Sequence, residues 1–398
     1  MREAMRKQSK KLSLTIGFLL LTLGMIPQSL FAQPGEGIKY GNWKLHPMGA
    51  VQEQYDSNIY QEPTSTNQDW ITTFRAGFEG EGIVMGDTGV QAGYLAEYNL
   101  FGINHKQSAL NQYANAAIKH EFKDILFTVD DYFQHTYSRP DEETTQRVLW
   151  NKNDLGFKAS AEYNRFGWSA EYRPIYYNYQ TDGWESENRW ENDANVVLSY
   201  RVYTKTYVFT EFNYGNIDYV KKEKSDANFY QGLVGVRGRL TARLTGTVKA
   251  GWQVRDYTRG TVKDYDSPVT MAGLLEEFSD RDKLEINWIR SPYESLYSGA
   301  NFYVDNSLSL RHTHKFTDKL SGYIGGLYRL SQYPTETVEG GTWKKRLDNT
   351  WNVGAGVEYA MQKWLVWNAG YTFIQRKSNF SNFDYDDNLA TVSLNAMY

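Results

Sequence analysis

Apolar and polar residues alternate at every second position through most of the chain after residue 43. The alternation is clear in NVVLSYRVY (195–203), LTGTVKAGWQV (244–254), KLSGYIGGLYRL (319–330) and WLVWNAGYTF (364–373). A period of two is typical of β-strands whose two faces meet different surroundings. No later segment shows a convincing helical period, so the pattern predicts an all-β protein.

The connections between these strands alternate between two kinds. A tight turn at one end is followed by a long polar stretch at the other, so every strand returns beside the one before it. One end of the structure is therefore expected to be compact and the other elaborated. The predicted tight turns are 121–126, 163–167, 202–207, 239–244, 278–284, 315–320 and 360–365, and the predicted long loops are 138–146, 181–188, 258–267, 291–299 and 334–345.

This rhythm predicts about eighteen strands, with a range of about 16 to 20, paired as hairpins. A flat sheet of that size would leave two open edges, whereas closure into an up-and-down antiparallel barrel removes both. Bacterial membrane barrels have an even strand number, short periplasmic turns and longer external loops. We therefore predict a transmembrane β-barrel with strands centred near residues 50, 74, 94, 116, 130, 155, 172, 197, 211, 234, 249, 272, 287, 309, 325, 354, 369 and 392.

Proline positions indicate separately where strands end, because proline cannot donate a hydrogen bond within a ladder and favours loops and edges. Pro174 lies inside the strand predicted around EYRPIYYNY, where we expect a bulge or an early strand end. The other informative prolines fall in the predicted long loops, namely Pro63, Pro140, Pro268, Pro292 and Pro334.

The chain ends on Tyr398, inside a predicted strand. Outward-facing apolar residues would alternate there with inward-facing polar ones, which suits lipid outside a barrel and water inside. A terminal aromatic residue preceded by apolar residues at every second position resembles the C-terminal signal read by the barrel assembly machinery. The proposed outer face is Ala390, Val392, Leu394, Ala396 and Tyr398, with Val392, Leu394, Ala396 and Tyr398 as the assembly signal, and the inner face is Thr391, Ser393 and Asn395.

Aromatic residues are expected where strands cross the lipid–water boundaries. Their positions in the sequence predict two belts, one at each end of the barrel. The belt beside the tight turns would contain Phe122, Trp168, Tyr203, Tyr207, Phe316 and Trp364, and the belt beside the long loops would contain Tyr60, Tyr137, Tyr179, Tyr219, Tyr257 and Tyr333.

Charged residues occupy the faces that the alternation turns inward. An ionised side chain facing lipid costs a few kcal/mol, so these residues predict a wet lumen. Two explanations stay open: the charges solvate the wall and pair with each other, or they form a field that selects solutes. The candidate pore-lining residues are Arg237, Arg239, Lys249, Arg255, Glu97, Glu121, Glu171 and Glu211.

Residues 1–32 have the three-part layout of a secretory signal. MREAMRKQSKK is basic, LSLTIGFLLLTLGMI is mostly apolar, and PQSLFA ends on a small residue. We predict cleavage after Ala32, which leaves a short periplasmic segment at 33–42 and a barrel at 43–398. An uncleaved membrane anchor is the alternative.

Charge and cysteine content exclude several classes of function. The chain has 43 Lys and Arg against 47 Asp and Glu, and without residues 1–32, which hold five basic residues and one acidic residue, 38 face 46. Such an acidic protein is not expected to bind nucleic acid. Cys is absent from the sequence, which excludes disulfides and thiolate metal sites.

The sequence contains no motif that indicates an enzyme. It has no G-x-S-x-G elbow and no glycine-rich phosphate loop, so we predict no catalytic residue and no cofactor. His312 and His314 share one face of a strand, but no third ligand is recognisable nearby, and we predict no metal site. The acidic clusters DEE (141–143) and DYDD (384–387) could hold divalent cations beside lipopolysaccharide, although solvated loops are the simpler explanation.

Several segments resemble a known family, over nearly the whole exported chain. VQEQYDSNIYQ (51–61) followed by DWITTFRAGFEGEG (69–82), FYVDNSLSLRHTHKFTDKLS (302–321) and SNFSNFDYDDNLATVSLNAMY (378–398) are similar to the β-barrel porin type 2 family of outer-membrane proteins. The resemblance implies a barrel in the outer membrane, in contact with its lipid and lipopolysaccharide. It also implies export of an exopolysaccharide, with polysaccharide export components as partners. Tyr398 departs from the Phe that is common at the family's C-terminus.

Three functions therefore remain as expectations. The first is a porin-like channel for export of an exopolysaccharide. The second is a general diffusion porin for small hydrophilic solutes. The third is a non-conducting surface barrel whose loops bind envelope polymers. At about eighteen strands the bore exceeds what wall side chains alone can fill, so an open lumen is expected unless loops fill it.

Overall fold

The computed structural model describes residues 35–64, 66–141, 143–259, 262–297 and 299–398. The predicted signal sequence lies outside these residues. Nineteen strands make up almost all of the regular structure, with short 3₁₀ turns at His105–Gln107, Glu185–Glu187 and Ser381–Phe383. Within the described part of the chain, no helix is long and apolar enough to cross a bilayer.

The strand boundaries follow the period-two pattern of the sequence. They are β1 (Ile38–Tyr40), β2 (Trp43–Asp56), β3 (Asp69–Met85), β4 (Thr88–Phe101), β5 (Ala109–Phe122), β6 (Ile125–Ser138), β7 (Val148–Tyr163), β8 (Phe166–Tyr179), β9 (Arg189–Tyr203), β10 (Thr206–Tyr219), β11 (Ala227–Arg239), β12 (Leu244–Tyr257), β13 (Tyr265–Glu277), β14 (Asp282–Glu294), β15 (Phe302–Lys315), β16 (Leu320–Glu339), β17 (Thr342–Gln362), β18 (Leu365–Ser378) and β19 (Tyr385–Met397). All eighteen predicted strand centres fall inside β2–β19, which confirms the predicted count.

The sheet closes on itself. Each strand from β2 to β19 pairs antiparallel with the next, and β19 pairs back with β2 from Leu389↔Asp56 to Met397↔Met48. The short β1 forms a hairpin with the start of β2 and lies inside the segment 33–42. The fold is therefore a closed up-and-down barrel of eighteen strands, as predicted.

The two ends of the barrel differ as the turn pattern predicted, with one exception. The predicted long loop at 334–345 is instead the end of a hairpin, because β16 and β17 run on and meet at a two-residue turn. Gly340 and Gly341 form this turn with φ of +57° and +80°, a conformation that favours glycine and suits a two-residue hairpin turn. The β16–β17 hairpin thus projects beyond its neighbours at the long-loop end.

The prediction for Pro174 is wrong. The β8 strand continues through Pro174, which pairs with Asn192 of β9, and no bulge shifts the register. The ladder between β7 and β8 has a gap between the pairs Asp154↔Ile175 and Phe157↔Tyr172, and its register is the same on both sides of the gap. The missing N–H is therefore accommodated by a local gap in the ladder toward β7.

Three other prolines also differ from expectation. Pro63 and Pro140 lie in loops as predicted, but Pro268 lies in β13, Pro292 in β14 and Pro334 in β16. Each lies where the ladder to one neighbouring strand has ended or shifts register. A strand border without a partner imposes no need for an N–H donor, so proline is tolerated there.

The alternation in the last strand is as predicted. Val392, Leu394 and Tyr398 are exposed on the outside, whereas Ser393 and Asn395 are buried on the inside. The backbone N–H of Tyr398 donates to the carbonyl of Pro47 at 3.0 Å, and its carbonyl lies 2.7 Å from Nδ1 of His46. The C-terminal residue is therefore bound to β2 at the point where the barrel closes.

The aromatic belts are only partly those predicted. Phe122, Tyr203, Phe316 and Trp364 are exposed beside the tight turns, as expected. Tyr207, also predicted for this belt, instead lies beneath the inward-pointing Arg237. Beside the long loops, the predicted belt residues Tyr179, Tyr219, Tyr257 and Tyr333 are buried. The strand face on which a residue lies, rather than its nearness to a loop, decides whether it reaches lipid.

Other aromatic side chains form the belt at the long-loop end. Tyr55 contacts Trp70, Tyr176 contacts Trp190, Tyr214 contacts Tyr230 and Tyr328 contacts Trp351, with ring centroids 4.5 to 5.2 Å apart. Four tyrosine hydroxyls donate to an asparagine on the next strand, two residues nearer the long loops than the directly opposite residue. The pairs are Tyr172–Asn192, Tyr214–Asn228, Tyr328–Asn349 and Tyr371–Asn388. Such rings with an apolar body and a hydrogen-bonded tip are typical of a membrane interface.

Candidate functional site

The lumen is constricted near the long-loop end by the tip of the β14–β15 hairpin. The β13–β14 ladder ends at Thr270↔Arg290, and the β15–β16 ladder ends at Val304↔Gln332. Beyond these points β14 and β15 still pair with each other up to Glu294↔Phe302. We call residues 291–296 and 301–304 the hairpin tip. Residues 291–296 no longer pair with β13, and of residues 301–304 only Val304, at the base of the tip, still pairs with β16.

The hairpin tip bends inward, as its contacts show. Glu294 and Phe302 lie on the strand face that points outward lower in the barrel, where Trp288 and Leu310 are exposed. Yet Glu294 pairs with the inward-facing Arg255 and accepts a hydrogen bond of 2.9 Å from Tyr219.

Apolar contacts accompany this ion pair. Phe302 stacks on Tyr257 and contacts Tyr265, and Val304 is buried in the same cluster. The outer face of the hairpin tip thus packs against the inner face of β10–β13.

A loop from the opposite wall meets the hairpin tip in the lumen. Glu143, in the loop between β6 and β7, accepts hydrogen bonds from the Ser295 hydroxyl at 2.7 Å and from the Leu296 N–H at 2.8 Å. The β6–β7 and β14–β15 hairpins lie eight strands apart around an eighteen-strand barrel, so they are nearly opposite. The expectation that the acidic cluster 141–143 is a solvated loop is therefore wrong for Glu143, which is buried.

Two further groups fix this contact. The Lys224 ammonium, from the loop between β10 and β11, donates to Glu187 at 2.8 Å and to the carbonyl of Ser295 at 2.5 Å. Leu296 packs on a cluster of buried side chains from β7 and β8. This cluster consists of Val148, Trp150 and Tyr179, with Tyr177 and Trp184 packed against it. Loops from four hairpins therefore meet around Ser295 and Leu296.

An arginine enclosed by aromatic rings completes the constriction on the other side. Arg346 of β17 is fully buried and binds the Asp348 carboxylate at 2.6 Å. Its guanidinium lies 3.4 Å from the Phe383 ring centroid, 4.5 Å from that of Tyr333 and 4.9 Å from that of Tyr297. Tyr297 comes from the β14–β15 loop and Phe383 from the β18–β19 loop, so cation–π contacts join both loops to the wall.

A second buried cluster lies where the barrel closes. Arg139 donates to the carbonyl of Ile59, and Asp387 accepts hydrogen bonds of 3.1 Å from the Ser57 hydroxyl and the Asn58 N–H. Asp387 belongs to the acidic cluster 384–387 and is buried, so that cluster is not simply a solvated loop either. Burial lowers the pKa of Arg139 to about 10, with the nearby Arg147 adding to the effect.

Burial also changes the acidity of the carboxyl group at the centre of the constriction. Burial, with a further contribution from the neighbouring Asp141, raises the pKa of Glu143 to about 8, against the lowering effect of the hydrogen bonds from Ser295 and Leu296. The protonated form is therefore favoured at neutral pH, because an ionised carboxylate without a counter-charge is costly in a buried position.

The predicted pore-lining residues all lie on inward-facing positions of their strands. Most are engaged in ion pairs across neighbouring strands. Glu97 binds Arg75 at 2.7 Å, Glu211 binds Lys249 at 2.9 Å, Glu171 binds Lys158 at 2.9 Å and Arg173 at 3.0 Å, and Arg255 binds Glu294. This mutual pairing agrees with the first of the two explanations given above.

The remaining three candidates lie nearer the tight-turn end. Arg237 lies over the rings of Tyr207 and Phe209 and donates to the Ser199 hydroxyl at 3.3 Å. Arg239 and Glu121 are exposed next to tight turns. Whether these side chains line the path of a solute stays a prediction.

Sequence reasoning missed Arg173, which binds three carboxylates of the wall. Arg173 binds Asp130 at 2.9 Å, Asp154 at 2.6 Å and Glu171 at 3.0 Å, across β6, β7 and β8. It also missed Glu143, Ser295, Glu294 and Arg346. The inward face of Arg173 follows from the alternation in β8, but its partners could not be read from the sequence because cross-strand register is not local.

His312 and His314 contact the same carboxylate. Asp282 lies 2.7 Å from Nδ1 of His314 and 3.4 Å from Nε2 of His312. No group of three residues arranged to hold a metal ion occurs in the described part of the chain. The pair is thus bound by an acidic partner on the adjacent strand.

A closed barrel with eighteen strands, an apolar outer wall, an interfacial aromatic belt and a polar lumen is a porin-like channel of the outer membrane. The family described as "Putative beta-barrel porin 2" matches residues 134–398, which is more than half of the chain, and the protein belongs to that family. A comparison with curated proteins finds no match.

Solved outer-membrane porins share the architecture. OpdK of Pseudomonas aeruginosa is similar with a TM-score of 0.53 and 12% identity, covering 89% of this chain and 99% of that chain. OccK2 (OpdF) of Pseudomonas aeruginosa in complex with glucuronate has a TM-score of 0.52 and 11% identity, covering 89% and 98%. OccAB3 of Acinetobacter baumannii has a TM-score of 0.51 and 10% identity, covering 90% and 100%. Identities this low establish the fold alone.

Proposed function

We propose that this barrel is a diffusion channel for small hydrophilic solutes. The observation that carries the proposal is the constriction, in which Glu143 and the hairpin tip meet across the lumen. Water and small solutes can pass beside such a contact, whereas an extended polymer needs a continuous wide bore. The resemblance to a family associated with exopolysaccharide export does not identify any residue of this chain that would bind a polymer.

The charge pattern of the wall supports weak selectivity between ions. Lys249 and Arg255 are neutralised by Glu211 and Glu294, and Arg75 is neutralised by Glu97. Paired charges produce little net field inside the lumen, so neither cations nor anions are strongly favoured. The neighbour OccK2 holds glucuronate, a small organic acid, which supports a solute of that size.

Planar-bilayer recording and liposome swelling test this proposal together. We expect discrete conductance steps, a reversal potential near zero across a salt gradient, and entry of monosaccharides but not of long oligosaccharides. Purified protein without conductance steps would favour a non-conducting barrel that binds envelope polymers. Entry of long polysaccharides, with loss of secreted polymer from a deletion strain, would favour export with polysaccharide export components as partners.

A further inference from the structure

Two prolines oppose each other at the border where β13 and β14 separate. If the β13–β14 register continued past Thr270↔Arg290, Pro268 would face Pro292. Pro268 still pairs with Trp252 of β12, and Pro292 still pairs with Val304 of β15. Each proline therefore keeps the ladder on one side, and its missing N–H lies toward the other proline.

The absence of both donors explains why the wall separates at this point. In an antiparallel ladder, two opposite residues of a hydrogen-bonded pair exchange two N–H···O bonds. Proline can supply neither of them. The β13–β14 border therefore ends below these residues, and β14 is free to leave the wall.

The other border of the hairpin tip carries the third proline. The β15–β16 ladder ends at Val304↔Gln332, and its register would place Pro334 opposite Phe302. The β16–β17 ladder shifts register between Gln332 and Glu336, on either side of Pro334. Backbone pairing to the wall is thus interrupted on both sides of the tip.

Apart from the Val304↔Gln332 pair at its base, the described part of the tip keeps its inward position through contacts that do not belong to a ladder with the wall. They include the Glu294 contacts to Arg255 and Tyr219, the contacts of Ser295 and Leu296 to Glu143 and of Ser295 to Lys224, and the apolar packing of Phe302 and Val304. An element that has lost its ladder on both borders can leave the wall as a unit, because only its contacts inside the lumen oppose the movement.

We propose that the hairpin tip is a gate, hinged where Pro268, Pro292 and Pro334 interrupt its pairing, which narrows the lumen when Glu143 binds Ser295. The inference deepens the proposed function and rests on it, because a gate matters only in a conducting barrel. In the open position the tip moves away from Glu143 and widens the bore.

The double variant Pro268→Thr/Pro292→Thr tests the hinge. Threonine restores both N–H donors and favours strands, so the β13–β14 ladder should extend and keep the tip in the wall. We expect unit conductance several-fold larger than that of the parent. Pro174→Thr is the matched control, because Pro174 also lies within a strand but far from the tip, and it should conduct like the parent.

A reversible cross-link tests the movement independently, in case the double variant fails to fold. The chain has no Cys, so Glu143→Cys/Ser295→Cys can be joined by a short bifunctional thiosulfonate reagent. We expect the tethered protein to remain at its smallest conductance level, and a reductant to restore the larger one. Each single-Cys variant treated with the same reagent is the control.

The outcomes separate the gate from the channel. Parent and variants that conduct equally, with no effect of the tether, would overturn the gate and leave the channel intact. Silence of the parent, the double variant and the reduced cross-link variant would overturn the channel itself. A silent parent with a conducting Pro268→Thr/Pro292→Thr variant would support the gate in its closed position.

Discussion

The Ser295 hydroxyl donates a hydrogen bond of 2.7 Å to the Glu143 carboxyl group inside the lumen, although the two residues lie 152 positions apart along the chain. Their contact joins two hairpins from opposite walls of the barrel. The Glu143 carboxyl is buried, and the Lys224 ammonium donates to the carbonyl of Ser295. A change in the charge of Glu143 should therefore change how firmly the hairpin tip is held in the lumen, and with it the width of the bore.

The constriction should open as pH rises. Glu143 has a pKa of about 8 in its buried position, raised from 4.5 mainly by burial. A raised pKa means that the contact is fully stabilised below about pH 4.5 and loses this stabilisation as pH rises through about 8. We therefore expect unit conductance in planar bilayers to increase through that range.

The variant Glu143→Gln should remove this dependence on pH, since it is neutral throughout. Other groups face Glu143 and act as internal checks, namely Asp141 in its own loop, Glu187 and Lys224 in neighbouring loops, Tyr303 in the hairpin tip, and Tyr333 and Arg346 on the wall. A pH profile that is the same in Glu143→Gln and in the parent would assign the effect to one of them.

Charge on the lipid face should be far more costly than charge on the lumen face. Leu310 is exposed on the outside of β15, whereas the adjacent Ser309 points inward, where Asn287 lies 3.4 Å from its hydroxyl. Leu310→Lys should lower the free energy of unfolding by about 2 to 4 kcal/mol near the bilayer midplane, with little effect from Ser309→Lys. Urea unfolding in lipid, followed by the mobility of unboiled samples on gels, measures the difference, and equal effects would contradict the assigned faces.

The buried ion pair of the hairpin tip should be sensitive to loss of one partner. Arg255 and Glu294 are only 4% and 6% exposed. Glu294→Gln should destabilise the tip by about 3 to 5 kcal/mol because an unpaired guanidinium stays buried, and Arg255→Met/Glu294→Leu should restore much of this. The rate of limited proteolysis of the β14–β15 loop in detergent measures this destabilisation, and Glu294→Gln should be cleaved faster than the parent.

An exposed ion pair serves as the control that separates the effect of burying an ion pair from the effect of forming one. Lys158, 42% exposed, binds Glu171, and Lys158→Met should cost less than about 1 kcal/mol. Equal proteolysis rates for Glu294→Gln and Lys158→Met would mean that burial of the Arg255–Glu294 pair has no special role.

Removal of Arg173 should make the channel prefer cations. Arg173 binds three carboxylates, those of Asp130, Asp154 and Glu171. Arg173→Met leaves these acidic groups without their shared cation, so the reversal potential across a potassium chloride gradient should shift toward that of potassium. Arg173→Lys keeps the charge and should remain close to the parent, and an unshifted Arg173→Met would place the cluster off the solute path.

The C-terminal strand should control assembly in the cell. Val392, Leu394, Ala396 and Tyr398 form an outward-facing row, and the Tyr398 N–H donates to the carbonyl of Pro47 where the barrel closes. Replacement of Tyr398 by Ser should reduce the amount of folded protein in the outer membrane without changing total synthesis. Thr391→Ser, on the inner face of the same strand, is the control, and equal loss in both would argue against the terminal signal.

The sequence by itself determined the wall of this barrel. The period-two alternation and the spacing of turn residues are local signals, so they located all eighteen wall strands and the two faces of β19. They also predicted seven of the tight turns, but they did not single out the turn at Gly86–Asp87, and they placed a loop at Gly340–Gly341, where a polar stretch is compatible with either a loop or a longer hairpin. Local propensity cannot decide between a loop and a longer hairpin, because the choice depends on whether the two segments pair with each other.

Only the tertiary structure decided what lies inside the wall. The pairing of Arg255 with Glu294, the enclosure of Arg346 by Phe383 and the contact between Glu143 and Ser295 all join residues whose proximity depends on closure and register. Pro268, Pro292 and Pro334, which the sequence placed in loops, instead lie in strands, because a proline is tolerated where its missing N–H faces a strand border without a partner. The direction in which a freed hairpin bends depends on long-range contacts, and those contacts exist only once the barrel has closed.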